Sequence, residues 1–170
     1  MDKAISTVLL VIAGMVATLV VVRSAYPAVV RGGNSIVNAT QQMNERIETQ
    51  LAIVFATGEL DSSGTWQDTD GDGYFDVTVW VKNVGSSRIL GITDVDVFYG
   101  KAGSFRRIPY VGDAGGTFPN WSYTLENDTE WKSMATLKIS IHYTSAQSSG
   151  TYLVKVIAPS GAYAEQWFSY

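Results

Sequence analysis

Residues 4–22, with the sequence AISTVLLVIAGMVATLVVV, form a run of nineteen positions without a charged side chain. In an α-helix, which rises about 1.5 Å per residue, this run reaches roughly 28 Å and matches the hydrocarbon thickness of a bilayer. A helix that is apolar on every side has to be covered by lipid or by other protein. The segment therefore predicts residence in a membrane at some stage.

The run is not typical of a cleavable secretory signal. Such a signal has roughly 7 to 15 apolar residues followed by small residues at the cut, whereas this run is longer and Pro27 would stand beside a cut after Tyr26. We therefore expect the segment to be retained. Lys3 precedes it and Arg23 and Arg31 follow it, so the flanking charges orient an anchor weakly and by themselves favour a cytoplasmic second domain.

Beyond the run, the chain becomes polar but keeps an apolar stripe with helical spacing. We predict that this stripe packs the helix against the following domain, and its members are Ile36, Met43, Ile47, Leu51 and Val54. A kink is predicted near Pro27, because proline lacks a backbone donor and clashes with the preceding turn. Residues 1–56 are thus predicted to form one long assembly helix.

After Gly58, apolar residues recur at every second position, as in half-buried strands. Val77, Val79 and Val81 share one face, and the segment MATLKISIHYT alternates in the same way. Turn-forming clusters such as KNVGSS, GDAGG and SAQSSG separate the segments. The predicted class is α+β, with a long N-terminal hydrophobic helix and an immunoglobulin-like antiparallel β-sandwich at residues 57–170.

Composition and motifs argue against several functions. A net charge of −4 without a basic cluster makes nucleic acid an unsuitable partner, and the absence of cysteine excludes disulfides and thiol chemistry. The single histidine, His142, stands on the polar side of a predicted strand, and no Gly-x-Ser-x-Gly motif accompanies it. These features predict a surface histidine, no enzymatic activity and no required cofactor.

The motif DTDGDGYFD at residues 68–76 predicts an optional calcium site. Asp68, Asp70, Asp72 and Asp76 supply carboxylates at the alternating positions that a hard cation prefers. Val79 stands where an EF-hand has its closing glutamate, and a strand pattern follows, so an EF-hand is excluded. The alternative is a metal-free Asp/Gly turn that leads into a strand.

Three Asn-x-Ser/Thr tripeptides begin at Asn38, Asn120 and Asn127. Each is a candidate acceptor for N-linked sugar. Together they favour an exterior location over a cytoplasmic one.

Small residues interrupt the apolar run and permit the close approach of neighbouring helices. A bundle of identical helices would cover the run outside lipid, and a head-to-tail contact that does not close on itself builds an open helical filament. The predicted assembly core comprises Ile5, Val8, Leu9, Val11, Ile12, Gly14, Met15, Leu19 and Val22.

The segments KAISTVLLVIAGMVATLVVV, NSIVNATQQMNERIETQLAIV and DVTVWVKNVGSSRILGITDVDVFYG resemble the archaellin and archaeal type IV pilin superfamily, including its FlaF/FlaG-like relatives. The resemblance implies a subunit of an extracellular, often glycosylated homopolymeric filament that drives swimming. It also implies processing by a prepilin-type peptidase, transient membrane residence, and assembly by an ATPase and a membrane platform. The alternatives are an adhesive type IV pilin and a membrane-anchored, stator-like β-domain protein of the archaellum.

Overall fold

The computed structural model describes residues 2–170, apart from the side chains of Gln42, Glu45, Arg46 and Ile47. Two compact units make up the chain, and the boundary between them falls after Met43, so that the second unit is Asn44–Tyr170. The first unit is helical, and the second contains the end of the helix and all of the described strands.

Helix α1 spans Asp2–Glu48 and continues without interruption through Pro27. The hydroxyl groups in its apolar run bond to the helix itself, since Ser6, Thr7 and Thr18 donate to carbonyl oxygens four residues earlier at 2.8–2.9 Å. Such bonds leave no hydroxyl of the run without a partner, which suits a segment that lies in an apolar environment.

The helix ends earlier than the sequence pattern predicts. The Glu48 carbonyl accepts bonds from the backbone N–H groups of Ser86 at 2.9 Å and Ser87 at 3.3 Å. These bonds from a loop satisfy a carbonyl that has no partner within the helix. The predicted boundary at residue 56 is therefore wrong.

The first strand, β1, covers Leu51–Gly58. Leu51 and Val54, which were predicted on the helical stripe, lie in this strand instead. The segment contains β-branched and aromatic residues such as Ile53 and Phe55, which favour an extended chain. Pairing with the next strand stabilises β1 over the helix that the apolar stripe predicts. The sequence could not show that pairing, because it joins distant segments.

The eight strands form two four-stranded antiparallel sheets, in agreement with the predicted immunoglobulin-like sandwich. One sheet has the order β1-β2-β6-β5 and the other β4-β3-β7-β8. The remaining strand bounds are β2 Phe75–Asn83, β3 Asp96–Lys101, β4 Arg106–Ile108, β5 Asn120–Glu126, β6 Thr136–Tyr143, β7 Thr151–Ile157 and β8 Tyr163–Ser169.

The core lies between the two sheets. The predicted inward set Val77, Val79 and Val81 is fully buried, and the alternating residues of β6 are buried opposite them. Two large aromatic residues, Trp121 and Trp131, fill the same core. A sandwich without disulfides is thus held by apolar packing.

We predict that Gly85→Ala destabilises the sandwich by roughly 1–3 kcal/mol, because an added methyl group would overpack this site. A Cβ atom there would lie 2.2 Å from the Glu48 carbonyl oxygen and 2.6 Å from the Gln50 nitrogen. Thermal unfolding followed by tryptophan fluorescence measures the change. Gly32→Ala is the control, since a Cβ atom there has no neighbour within 4 Å, and equal melting temperatures for the two variants would contradict the prediction.

Candidate functional site

A loop rich in carboxylates joins β1 to β2; it comprises residues 59–74, and we call it the acidic loop. Glu59 is the first residue of this loop, and its side chain accepts four hydrogen bonds. Its carboxylate accepts from the Thr69 hydroxyl and backbone N–H, from the Trp66 indole N–H at 3.2 Å and from the Asp76 backbone N–H at 3.0 Å. Glu59 therefore fastens the loop to the first residues of β2.

The pKa of Glu59 follows from these contacts. Burial by itself would raise the pKa, but the hydrogen bonds from Thr69, Asp76 and Trp66 together outweigh it, and the pKa lies below its ordinary value. The side chain is thus held as a carboxylate at neutral pH. Sequence reasoning missed Glu59, because nothing in a single sequence distinguishes it from a solvated surface glutamate.

The aspartates of the predicted calcium motif bond mainly to their own loop. Asp68 accepts the Gly71 and Gly73 N–H groups at 2.7 and 3.1 Å, and Asp72 accepts the Tyr74 N–H at 2.7 Å. Both glycines have φ near +80°, a left-handed conformation that side chains disfavour. The repeated Asp-Gly pattern therefore serves a tight turn.

The four predicted ligands divide into two groups. Carboxylate oxygens of Glu59, Asp68 and Asp70 lie within 4.8 Å of one another, and the same holds for donor atoms of Asp72, Asp76 and His142. Calcium binding at this loop stays a prediction, with its ligands spread over two neighbouring positions. The oxygen-rich first group suits a hard cation better than the second, which includes an imidazole.

His142 is not the surface histidine that the sequence predicts. Its side chain is 17% exposed and its Nδ1 lies 2.7 Å from Asp76 Oδ1, while its Nε2 lies 2.8 Å from the Ser122 hydroxyl. A carboxylate can only accept, so Nδ1 carries the proton and, in the neutral ring, Nε2 accepts from Ser122. The chain of bonds links β2, β6 and β5 across the outer face of their sheet.

The strand register creates this chain. Asp76 is paired with His142 on one side of β6, and Asn120 is paired with it on the other. Ser122 lies two residues beyond Asn120 and thus on the same face of β5, within reach of the ring. The bond to Asp76 is the largest influence on the pKa of His142 and raises it above the ordinary value. Burial raises the pKa of Asp76 in spite of its histidine partner. No motif marks the arrangement, because its three members lie far apart in sequence.

The predicted sugar acceptors differ in exposure. Asn120 is buried, and its amide donates to the Thr117 carbonyl at 2.8 Å, so the folded chain does not offer it to a sugar and that prediction is corrected. Asn38 and Asn127 are exposed. Glycosylation at these two positions stays a prediction.

The predicted assembly residues all lie on the exposed surface of α1. Large apolar side chains such as Val8, Leu9, Met15 and Leu19 are at least half exposed. The segment Asp2–Gln41 of α1 is long and apolar enough to cross a membrane. Of the predicted packing stripe, Ile36 and Met43 are also exposed, whereas the side chain of Ile47 is outside the described residues.

Fold and helix together define a class: an immunoglobulin-like sandwich preceded by a helix that can enter a membrane. Residues 2–168 match the model of the archaeal-type flagellin family, and the chain belongs to that family. An uncharacterized protein of Archaeoglobus fulgidus is 29% identical over 176 residues, which cover 99% of this chain and 98% of that protein.

Two solved structures from Sulfolobus acidocaldarius are similar to the chain. The archaellum periplasmic stator protein FlaG has 25% identity and a TM-score of 0.54, over 71% of this chain and 99% of that one. The stator protein complex of FlaF and FlaG gives 25% identity and a TM-score of 0.53, over 71% and 89%. The chain is therefore an archaellum-related protein.

We predict that Glu59→Gln destabilises the sandwich by roughly 1–3 kcal/mol, because an amide nitrogen would replace one of two oxygens that face only donors. Urea unfolding measures this loss. The control is Glu130→Gln, which removes an exposed ion pair with Arg88 and is expected to change stability by less than about 1 kcal/mol. Losses of equal size would contradict the role of Glu59.

The contribution of His142 to the stability of the fold is predicted to depend on pH. Because folding raises the pKa of His142, its protonation stabilises the fold fully below the ordinary value of 6.5, and this contribution is lost as the pH rises through the folded value. The stability advantage of the parent chain over His142→Gln should thus be larger at pH 5.5 than at pH 8.5. Melting temperatures at both pH values give the comparison, and an advantage that stays constant or grows with pH would contradict it.

Proposed function

We propose that the chain is a membrane-anchored, stator-like protein of the archaellum, with the sandwich outside the cytoplasmic membrane. The observation that carries the proposal is the likeness to FlaG, which extends over 99% of that solved stator chain. The filament subunit that the sequence predicts has weaker support, because the two solved structures named above are described as stator proteins.

The apolar run supports a lasting anchor. Its side chains are exposed and its hydroxyl groups bond within the helix, so lipid can cover it without leaving a polar group unpaired. A filament core would require other helices to cover the same surface. One copy of the chain and a bilayer are sufficient for the anchored state.

A stator has to remain fixed to the cell while another part turns. The membrane helix provides attachment, and the sandwich provides a stiff body because its two sheets share a continuous apolar core. By the likeness to the FlaF and FlaG complex, a second stator protein is the partner that we expect. The peptidase, the ATPase and the homopolymer stay expectations from the family resemblance.

Deletion of the gene separates the stator from the filament subunit. Cells that lack a stator component should still carry filaments under negative stain but should not swim, whereas cells that lack the main filament subunit should carry no filaments. The protein should be found with membranes and not with sheared filaments. Loss of filaments on deletion, together with recovery of the protein in sheared filaments, would overturn the proposal.

The anchor itself is tested by Val11→Asp, which places a charge near the middle of the run. Insertion scales assign a cost of about 3 kcal/mol to an aspartate at the centre of a span, so we expect much less protein in the membrane fraction. Val37→Asp makes the same change on the exposed polar part of the helix and should leave membrane association intact. Equal membrane fractions for the two variants would contradict the anchor.

A further inference from the structure

A cleft lies between the end of β3 and the turn that joins β6 to β7, and we call it the cationic cleft. Its volume is about 380 Å³. The cleft is separate from the acidic loop and from the membrane helix. Two cations, Lys101 and Arg106, line the cleft together with polar and aromatic residues, which are Tyr99, Ser104, Tyr143, Gln147, Ser148 and Tyr152.

The charge of the cleft contrasts with that of the chain. The whole chain has a net charge of −4, yet the described residues that line the cleft include two cations and no carboxylate. Elsewhere on the sandwich, Arg88, Arg107, Lys132 and Lys155 each form an ion pair. Within the part of the chain that the structure describes, neither cation of the cleft has such a partner, so both can receive an anion.

Lys101 is held in place before any ligand binds. Its ammonium group donates to the Ser148 hydroxyl at 2.7 Å and to the Ser149 carbonyl at 3.3 Å, and it lies 5.2 Å from the centre of the Tyr152 ring. A Cβ atom at Gly150 would lie 3.2 Å from this ammonium, so the glycine makes room for it. An ammonium has three N–H donors, and one remains for a ligand.

A tight turn brings Arg106 to the same cleft as Lys101. Ser104 donates its backbone N–H to the Lys101 carbonyl at 2.9 Å, and the returning chain passes so close to Gly100 that a Cβ atom there would lie 2.4 Å from the Ser104 carbonyl oxygen. The turn thus requires glycine at position 100. It leads directly into β4, where Arg106 is the first residue.

The wall of the cleft stays neutral. Burial raises the pKa of Tyr99 and of Tyr143 above the ordinary value, and the Arg106 guanidinium offsets only part of the rise at Tyr143. Tyr99 and Tyr152 stack with ring centres 5.2 Å apart. The hydroxyl groups therefore remain protonated, and the positive charge of the two cations is not cancelled by the wall.

We propose that the cationic cleft binds an acidic saccharide, a sugar ring that bears a carboxylate. Lys101 and Arg106 would hold the carboxylate, since charge-assisted bonds are the strongest that such a cleft can make. The neutral groups of Gln147, Ser104 and Ser148 match the hydroxyl groups of a sugar. A lone inorganic anion would leave most of the volume and these neutral groups unused.

The ligand class fits a sandwich outside the membrane and rests in that respect on the proposed function. A bound envelope glycan would give the anchored chain a second point of attachment. The binding chemistry itself depends only on the cleft. A binding measurement on purified protein can therefore fail or succeed independently of the motility experiments.

The experiment is a titration of the full chain in detergent micelles with glucuronate, followed by NMR of backbone and side-chain amides. We expect saturable shifts at Gly100, Gly150 and the Gln147 side chain, with a Kd on the order of 1 mM. Added salt should weaken the binding, because the contacts are partly exposed. Glucose and sulfate are the comparison ligands, and both should bind at least tenfold more weakly.

Matched variants locate the site. Lys101→Met and Arg106→Gln should each weaken glucuronate binding at least tenfold, whereas Lys155→Met and Arg107→Gln, which remove the same charges from ion-paired positions, should leave it within twofold. The amide spectrum of each variant shows whether it is folded, and either cleft variant alone suffices for the test. Three results would overturn the proposal: glucuronate shifts that do not saturate, sulfate binding as tight as glucuronate binding, or glucuronate binding by a folded cleft variant that equals that of the parent chain.

Discussion

The uncharged surface of residues 4–22 is the constraint on which the rest of the structure depends. Its large apolar side chains are exposed along the helix, and water is a poor solvent for such a surface. The bonds of Ser6, Thr7 and Thr18 to the helix backbone remove the remaining need for water. The chain therefore requires a cover, and lipid supplies one without any partner protein.

The transition from this helix to the sandwich is compact. The carbonyl of Glu48, the last helical residue, accepts hydrogen bonds from backbone N–H groups of the loop that follows Gly85. Strand β1 starts three residues after Glu48. At the other end of β1, Glu59 fastens the acidic loop and His142 joins three strands. Polar groups thus fix both ends of a sheet whose interior is held by apolar packing.

Sequence reasoning predicted what depends on local pattern. The apolar run predicted the helix, and alternation at Val77, Val79 and Val81 predicted buried strands. It failed where distant segments decide the outcome. Leu51 and Val54 have helical spacing but lie in β1, where Leu51 pairs with Asn83 and Val54 stands at the shift of register between Ile53 and Phe55. Asn120 belongs to a tripeptide with an acceptor pattern but is buried. His142 meets Asp76 and Ser122 because β2 and β5 both pair with β6.

The candidate sites also differ in whether a local sequence pattern or the folded structure reveals them. The aspartates of the acidic loop are evident from the motif DTDGDGYFD. The cationic cleft is not, because Lys101 and Arg106 come to line one cleft through a turn that Gly100 permits. For the anchored protein that we propose, two regions of opposite charge on one sandwich would offer separate surfaces to separate partners. Their charges also set the ionic-strength dependence of any contact that they make.

The environment of the apolar run is the most direct test of the account. The chain has no cysteine, so Val11→Cys gives this chain a single site for a spin label in isolated cell envelopes, and envelopes with the parent chain give the background from other proteins. An anchor in lipid predicts high accessibility of the label to oxygen and low accessibility to a polar nickel complex. Low accessibility to both reagents would show that protein covers the helix, and it would contradict the anchored state in favour of a filament core.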